Sequence, residues 1–269
     1  MKKILFPTDF SLPSANAFKY ACALAKTVNA KVDVITVFHL PASDVADLPP
    51  DYYPRLIEEQ EDVLNEKMLD FTKEADKGLV AKIDVVYGMF VPQEITCYAR
   101  HQHHDLIIMG TKGAHNIMEK LMGSITTHTM LQSPCPVLAV PAEAVFEPVT
   151  KIAYATDFSL NDSHSVRKLI EMAKELKAET LFVHVETNAD LGKMGDTIEI
   201  EDYPFEYSDF SVVNNPSILD GLELYIEEKE INWLSLFVPR RRLWERLFHT
   251  SFSRKMTFHT KKPVLVFHE

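Results

Sequence analysis

The sequence predicts an α/β protein built from two consecutive units, each a five-stranded parallel sheet flanked by helices. Two observations lead to this class. Short apolar runs alternate with longer amphipathic stretches along the chain, which is typical of βα units. The opening segment, Lys3 to Leu12, recurs as Lys151 to Leu160 with an identical TDFSL core. Because an internal repeat indicates a repeated structural unit, the same fold is predicted to occur twice.

The first unit is predicted to contain five strands separated by four helices. The strands are the short apolar runs, at Lys3 to Phe6, Lys31 to Phe38, Ala81 to Tyr87, Leu106 to Met109 and Val137 to Val140. The helices are the amphipathic stretches between them, at about Ser14 to Val28, Arg55 to Lys77, Pro92 to His101 and Ser124 to Leu131. This alternation predicts a parallel sheet.

The second unit repeats most of this pattern with a shorter middle. Its predicted strands lie near Ile152 to Tyr154, Thr180 to Val185, Phe210 to Val213, Trp233 to Phe237 and Val264 to Phe267. The repeat offset is 148 residues at the TDFSL segment and 127 residues at the closing strand, so the second unit is shorter by 148 minus 127, or 21 residues. The deficit falls where the first unit has its longest helix. The acidic stretch that replaces this helix, Asp190 to Tyr207, is predicted to be a loop or broken helix.

We place the domains at residues 1–143 and 149–269. The linker between them, about Ala142 to Pro148, is short, so the two domains are expected to touch.

The composition limits the class of protein. With 269 residues, of which 46% are hydrophobic, the chain is long enough for two ordinary cores. Its formal net charge of -11 disfavours binding to DNA or RNA. No apolar run approaches the roughly 18 residues of a membrane span, and the apolar stretch after Lys3 is too short for a secretory signal. We therefore expect a cytoplasmic protein without membrane or nucleic-acid partners.

The cysteines and histidines give no indication of a metal centre. The three cysteines include no CxxC pair, so each is predicted to be a small buried hydrophobic residue: Cys22, Cys97 and Cys135. A histidine group closes the helix before the fourth strand, and it is predicted to form a solvated helix end that favours cations: His101, His103 and His104.

A glycine pattern marks the first unit only. Residues 105–124 read DLIIMGTKGAHNIMEKLMGS and match G-x2-G-x9-G-S. Gly110 ends a predicted strand, where a side chain would block a ribose or base lying over the carboxyl edge of the sheet. Gly123 and Ser124 directly precede a predicted helix, whose free N–H groups and dipole favour phosphate, and Ser124 is a candidate N-cap. The chain has only eight glycines, so three in this arrangement indicate a nucleotide site.

Three features together resemble the universal stress protein family in its tandem, two-domain form. They are the strand followed by TDFS, the MGTKG...GS element and the closing CPVLAV strand, and the similarity covers both halves. The resemblance implies two Rossmann-like domains. It also implies ATP binding, because many members bind ATP through this glycine motif, whereas others lack the motif and do not bind ATP.

The resemblance assigns the binding residues to four places. The adenine and ribose region would follow strand one and strand two, at Pro7, Thr8, Asp9 and Val37. The end of strand four and the loop after it would pass beside the ribose and phosphates, at Met109, Gly110 and Gly113. The phosphate tail would lie on Gly123, Ser124 and Ile125. Two alternatives stay open from the residues alone: Asp9 as a cap for the helix that begins near Ser11, and Val37 as a core residue.

The second unit has lost the glycines. At the offset of 127, Gly110 corresponds to Phe237, Gly113 to Arg240 and Gly123 to Thr250, while Ser124 corresponds to Ser251. A phenylalanine ring would occupy the place of the ribose, so ATP is not expected there in the same pose. The substituted loop, with Arg240 to Arg242, is interpreted either as an anion site or docking surface or as a solvated basic face.

We therefore expect an ATP-binding universal stress protein with a regulatory role and one nucleotide site, in the N-terminal domain, with or without Mg2+. The alternative is a nucleotide-independent interaction scaffold of the stress response, favoured by the remodelled loop and the acidic stretch. No Mg2+ ligand pair or water-activating base stands out, so we do not expect an enzyme, although slow ATP hydrolysis is compatible with the site. The expected partners are an adenine nucleotide and an unidentified protein.

The resemblance also implies an assembly. Single-domain relatives often pair their last strands across a dimer axis, so Val137 to Val140 would lie beside Val264 to Phe267 in an intramolecular pseudo-dimer. A further homodimer of chains is compatible with this arrangement.

Overall fold

A computed structural model describes residues 1–41, 49–111, 124–156, 163–187, 205–238 and 261–268. It confirms an α/β fold with a large, mostly parallel sheet flanked by helices. The strands are β1 (Lys3–Pro7), β2 (Lys31–Phe38), β3 (Val80–Tyr87), β4 (Leu106–Gly110), β5 (Val137–Val140), β6 (Lys151–Ala155), β7 (Glu179–Glu186), β8 (Asp209–Asn214), β9 (Trp233–Val238) and β10 (Val264–His268). The helices are α1 (Leu12–Val28), α2 (Tyr53–Thr72), α3 (Val91–His101), α4 (Ser124–Gln132), α5 (Ser163–Leu176) and α6 (Ile218–Glu228), with a 3-10 turn at Pro50–Tyr52.

Every strand that the sequence predicted is present, and each end lies within one residue of its predicted position. The largest shift in a helix concerns α2, which runs from Tyr53 to Thr72. It begins before Arg55 because a proline, Pro54, is tolerated in the first turn, where its missing N–H would be unpaired anyway. It ends before Lys77 because the chain turns towards β3 through Gly78, whose φ is 80°.

The described strands form one sheet in the order β3-β2-β1-β4-β5-β10-β9-β6-β7-β8. We call β1 to β5 the first half and β6 to β10 the second half. One sheet face packs against α1, α2 and α5 around a cluster that includes Phe18, Met68 and Leu169. The opposite face packs against α3 and α4 in the first half and against α6 in the second. Both faces of the sheet are therefore covered, as a parallel sheet requires.

Strand register confirms the self-alignment of the two halves. Gly110 pairs with Val140 between β4 and β5, and Phe237 pairs with Phe267 between β9 and β10, so the offset of 127 holds in space. The offset of 148 holds for the first two strands of each half, where Lys3 pairs with Lys31 and Lys151 with Glu179. The change from 148 to 127 therefore falls between β7 and β8, as predicted. Most of the acidic stretch Asp190 to Tyr207 lies outside the described residues.

The two halves join through an antiparallel strand pair, as the resemblance implied. Val264 pairs with Ala139 and Val266 with Val137 between β10 and β5. Behind this seam, the Trp233 indole donates a buried 2.6 Å hydrogen bond to the Tyr20 hydroxyl. Burial raises the pKa of Tyr20 to about 12, so this hydroxyl stays protonated. The two halves thus form one continuous sheet, while the domain boundaries themselves stay a prediction.

The structure also shows the exposure of the three cysteines and the length and polarity of the described helices. Cys22 is buried and Cys135 is partly buried, but Cys97 is exposed on α3, so its prediction as a core residue was wrong. A helix buries only one stripe, and Cys97 falls between the buried positions Ile95, Thr96 and Ala99. Among the described helices, all are too short or too polar to cross a membrane.

Candidate functional site

A cavity of about 190 Å³ opens at the carboxyl edge of the first half, beside the ends of β1 and β4. Here β1 has β2 on one side and β4 on the other, so the strand order reverses. Such a switch point leaves a crevice where the flanking loops diverge, and ligands of open α/β sheets bind there. Seven predicted site residues line the cavity: Pro7, Thr8, Asp9, Val37, Met109, Gly110 and Ile125. Gly113, Gly123 and the side chain of Ser124 lie outside the described residues.

The turn from β1 into α1 holds Asp9 at the mouth of the cavity. Asp9 Oδ1 accepts hydrogen bonds from the Ser11 N–H at 3.0 Å and the Ser11 hydroxyl at 2.6 Å. Ser11 in turn is the N-cap of α1, its Oγ accepting from the Ser14 N–H. Asp9 thus supports the cap through one oxygen, while its Oδ2 makes no hydrogen bond to a described residue. The capping interpretation and the binding interpretation of Asp9 apply to different oxygens.

One wall of the cavity is apolar. Val37, Val91, Ile95 and Met109 line it, and all four also belong to or pack against one hydrophobic cluster. Val37 is therefore both a cavity residue and a packing residue, so its two interpretations are compatible. An apolar wall in a cavity that also has a carboxylate suits a ligand with an apolar part and a polar, hydrogen-bonding part.

Gly110 is required by packing within the chain itself. A Cβ atom built on Gly110 would lie 2.8 Å from the carbonyl oxygen and 3.0 Å from the carbonyl carbon of Pro13, in the first turn of α1. The absence of a side chain allows α1 to begin directly over the end of β4. In the second half, Phe237 occupies the equivalent place and packs against the cluster under α5.

Helix α4 closes the cavity from the other side. It begins at Ser124, which is the start that the sequence predicted for this helix. Ile125 lines the cavity, and the Thr126 hydroxyl donates to the carbonyl oxygen of Gly110 at 3.2 Å. That hydrogen bond fixes the start of α4 to the end of β4.

Several lining residues were not predicted from the sequence. Thr36 precedes Val37 at the end of β2, and Val91 and Ile95 lie four residues apart on α3. The i, i+4 spacing of apolar residues would have identified this face of α3 as buried, but not as part of a cavity. The others come from the start of α1 and the ends of the glycine segment: Ser11, Pro13, Ser14, Thr111 and Thr126.

The equivalent region of the second half differs where it is described. His184 occupies the place of Thr36 at the offset of 148, and its Nδ1 donates to the carbonyl oxygen of Thr156 at 2.8 Å. Together with Phe237, this exchanges a small residue for a ring at two lining positions. The loop with Arg240 to Arg242 lies outside the described residues.

The structure contradicts the prediction that His104 belongs to a solvated helix end. Its side chain is fully buried, and its Nε2 donates to Asp33 at 3.0 Å. The Lys3 ammonium lies 3.1 Å from the same carboxylate. Burial by itself would raise the pKa of Asp33, but the hydrogen bonds and charges of His104 and Lys3 lower it below its usual value. The signal that could have revealed this group is Asp33 itself, a charge within the apolar strand KVDVITVF.

The fold and the cavity define a doubly wound α/β protein with a cavity at its topological switch point. Residues 1–141 match the Universal stress protein family, and the chain belongs to this family.

Relatives of known sequence match about half of the chain. The universal stress proteins MJ0531 and MJ0577 of Methanocaldococcus jannaschii are 34% and 33% identical over 145 and 155 residues. Each match spans 52% of this chain and 81% or 94% of the relative. The crystal structure of a universal stress protein from Archaeoglobus fulgidus has the same fold over 99% of this chain and 98% of that protein, with a TM-score of 0.70 at 20% identity.

Proposed function

We propose that the chain is a regulatory universal stress protein that binds one ATP molecule, in the cavity of the first half. One observation carries the proposal: all the predicted site residues whose side chains are described surround a single cavity at the switch point. The apolar wall with Val37 and Met109 suits the adenine ring, and Asp9 Oδ2 suits ribose hydroxyls as a hydrogen-bond acceptor. The phosphates would extend towards the start of α4, where helix N–H groups and the helix dipole favour negative charge.

The proposed role is binding without dedicated catalysis. Among the described residues that line the cavity, Asp9 is the one ionisable side chain, and its Oδ1 is already engaged by Ser11. The described residues also contain no group of three acidic, His or Cys side chains that could hold a metal ion. A Mg2+ ion that accompanies ATP would therefore be held largely by phosphate oxygens and water, which is a common arrangement for this ion. Slow hydrolysis by bound water is compatible with such a site.

Equilibrium dialysis with labelled ATP tests the stoichiometry. One site per chain is expected, because the equivalent of Gly110 in the second half is Phe237. A value near two would refute the single-site proposal, and a value near zero would refute ATP binding altogether.

Repeat symmetry supplies matched controls for the position of the site. The change Asp9→Asn keeps an oxygen for Ser11 but removes the charge, and a lost charged hydrogen bond should weaken ATP binding by about tenfold or more. The equivalent change in the second half, Asp157→Asn, should leave the affinity unchanged. The change Gly123→Val should abolish binding through collision with the phosphates, whereas Thr250→Val should not. Equal effects within either pair would place the site elsewhere.

A second candidate function is a nucleotide-independent interaction scaffold. The observation that favours it is the second half, where rings of His184 and Phe237 stand at positions that line the cavity in the first half. Protein purified without added nucleotide and then denatured distinguishes the two functions. Released adenine absorbance that is absent from the Gly123→Val variant supports ATP binding. Protein that neither carries nor binds nucleotide supports the scaffold.

A further inference from the structure

One hydrophobic cluster connects the cavity of the first half with the last strand of the second. Ile95 and Met109 line the cavity and belong to this cluster. Val264 and Val266 of β10 belong to it as well, each about 95% buried. These two valines stand beside Ala139 and Val137 on the neighbouring strand β5. The hydrophobic cluster beneath the cavity therefore contains residues from both halves of the chain.

Helix α4 packs on this shared cluster. It packs against α3, β5 and β10, so part of its support comes from the second half. The buried side chains described in α4 are Thr126, Thr129 and Met130, of which Met130 alone is apolar. Met130 belongs to the same cluster as Val264 and Val266. Because burial of apolar surface provides most of the attraction between a helix and a sheet, these few contacts set the position of α4.

The polar part of the α4 interface adds little attraction. The Thr129 hydroxyl is fully buried, and it has no hydrogen-bond partner among the described residues. A buried hydroxyl without a partner costs free energy. Thr126 does form a hydrogen bond, to Gly110, but this contact fixes only the first turn of the helix. The remaining turns depend on the apolar contacts, to which β10 contributes directly.

We propose that Val264 and Val266 are positioning residues for the nucleotide site, although they lie in the other half of the chain and far along the sequence. They support the later turns of α4 from below and so orient the helix whose first turn, with Ile125 and Thr126, lies at the rim of the cavity. This inference rests on the proposed ATP site, and it adds that the site is not complete within the first half. Coupling through a shared support is reciprocal, so bound ATP also stabilises β10.

A comparison of ATP binding with adenosine binding can distinguish a displaced α4 from a general loss of stability. The start of α4 faces the part of the site that would hold phosphate, whereas Asp9, Val37 and Met109 would hold the nucleoside. A displaced α4 should therefore weaken ATP binding more than adenosine binding. A variant that only reduced the folded population would lower both affinities by the same factor.

The test compares two buried valines in the full chain. In Val266→Ala the support of α4 is reduced, whereas in Val183→Ala an equally sized group is removed from β7, in a separate cluster. At a temperature where both variants are folded, Val266→Ala should bind ATP about three- to tenfold more weakly, and Val183→Ala should stay within about twofold of the unchanged protein. Adenosine binding should change less than ATP binding in Val266→Ala. The variant Val266→Ile, which keeps both γ carbons, should retain the affinity.

Amide hydrogen exchange provides a second measurement. Without ligand, exchange in residues 125–132 should be faster in Val266→Ala than in Val183→Ala, and ATP should slow exchange in residues 264–268 of the unchanged protein. Val264→Ala replaces Val266→Ala if the latter does not fold. Equal ATP affinities and equal exchange in the two variants would overturn the positioning role while leaving the ATP site intact. Absence of ATP binding to the unchanged protein would overturn the proposed function together with this inference.

Discussion

The backbone of Gly110 lies against the backbone of Pro13, at a separation that leaves no room for a side chain. A Cβ atom on Gly110 would be 2.8 Å from the Pro13 carbonyl oxygen and 3.2 Å from the amide nitrogen of Ser14. The end of β4 and the first turn of α1 therefore meet at the cavity, and both contribute to its lining. A glycine that the motif assigns to ligand binding is thus also needed for the packing of the protein without ligand.

We predict that Gly110→Ala destabilises the fold and weakens nucleotide binding together. The new methyl group meets backbone atoms, which cannot turn aside as a side chain can, so α1 or β4 must shift. Overpacking of this kind costs about 1–3 kcal/mol. Urea denaturation measures the first effect and ATP titration the second.

Gly78→Ala is the control for this substitution. Gly78 has a φ of 80°, which an alanine adopts with strain, but no atom lies within 4 Å of an added Cβ. It stands before β3, at the sheet edge opposite the cavity. This variant should lose about 1 kcal/mol of stability and keep its ATP affinity. Loss of affinity in both variants would show that the effect of Gly110 is general destabilisation.

Thr129→Val should stabilise the protein. The Thr129 hydroxyl is buried without a partner among the described residues, and valine replaces it with a methyl group of similar shape. Removal of an unpaired buried hydroxyl should raise the free energy of unfolding by about 1 kcal/mol.

The same substitution at Thr126 should change the free energy of unfolding in the opposite direction. Thr126→Val removes the hydrogen bond to Gly110 and should lower the free energy of unfolding by about 1 kcal/mol. The midpoints of urea denaturation report both changes. Two shifts in the same direction would mean that Thr129 has a partner, such as a bound water molecule.

The Asp33 carboxylate should make stability depend on acid pH. Its pKa in the folded protein is lowered, because the hydrogen bonds and charges of His104 and Lys3 outweigh the effect of burial. The unfolded chain therefore binds this proton more tightly than the folded protein does. The stabilisation is fully present above about pH 5 and decreases as the pH falls through the unfolded and then the folded pKa.

Comparison with Asp33→Asn isolates this contribution from those of other carboxylates. The difference in the free energy of unfolding between the unchanged protein and the variant should be largest near neutral pH and should shrink as the pH falls below about 5. Urea denaturation at a series of pH values measures it. A difference that does not vary with pH would show that the ionised form of Asp33 is not favoured by folding.

The second half predicts how the buried pair of Asp33 and His104 can be replaced. Register places Leu181 at the position of Asp33 and, at the offset of 127, Ile231 at that of His104, both buried. Lys151 retains the contact made by Lys3, a hydrogen bond to a backbone carbonyl oxygen. An apolar pair thus fills the same place in the same fold.

We predict strong coupling in the double-mutant cycle of Asp33→Leu and His104→Ile. The single change Asp33→Leu leaves His104 buried without its carboxylate partner and should cost about 3 kcal/mol, since breaking a buried pair exposes its desolvation penalty. The double variant should lie within about 1 kcal/mol of the unchanged protein, because an apolar pair of suitable volume has no such penalty. Additive losses in denaturation experiments would contradict this coupling.

The positions of the strands along the chain were predictable because each buried strand has to be apolar, whereas their order in the sheet comes from the structure. The repeat then aligned Gly110 with Phe237 as equivalent positions, and it located the shortened connection between β7 and β8. Strand register agrees with both. The predicted binding residues came from the resemblance to the family, and strand direction agrees with that assignment, because in a parallel sheet the carboxyl ends of all strands lie at one edge. A residue that follows a strand is thereby assigned to that edge without any knowledge of packing.

Contacts between distant segments were not predictable in this way. His104 looks like a polar residue at a helix end, and only the approach of Asp33, 71 residues away, shows that it is buried. The prediction that Cys97 is buried failed because its neighbours on α3 define the buried stripe and Cys97 lies outside that stripe. The hydrophobic type of a residue gives its preference, whereas its side of a helix decides its exposure.

Sequence patterns were sufficient to predict the fold class, the repeat, the half that carries the glycine motif and the edge of the sheet at which the cavity lies. These follow from local patterns, since periodicity, turn residues and strand direction are properties of short segments. Three features become visible only in the folded chain: which oxygen of Asp9 remains available, why Gly110 must lack a side chain, and which strand lies beneath α4. Each of these depends on atoms brought together across the chain, as when Val264 and Val266 of the second half meet Met130 of the first.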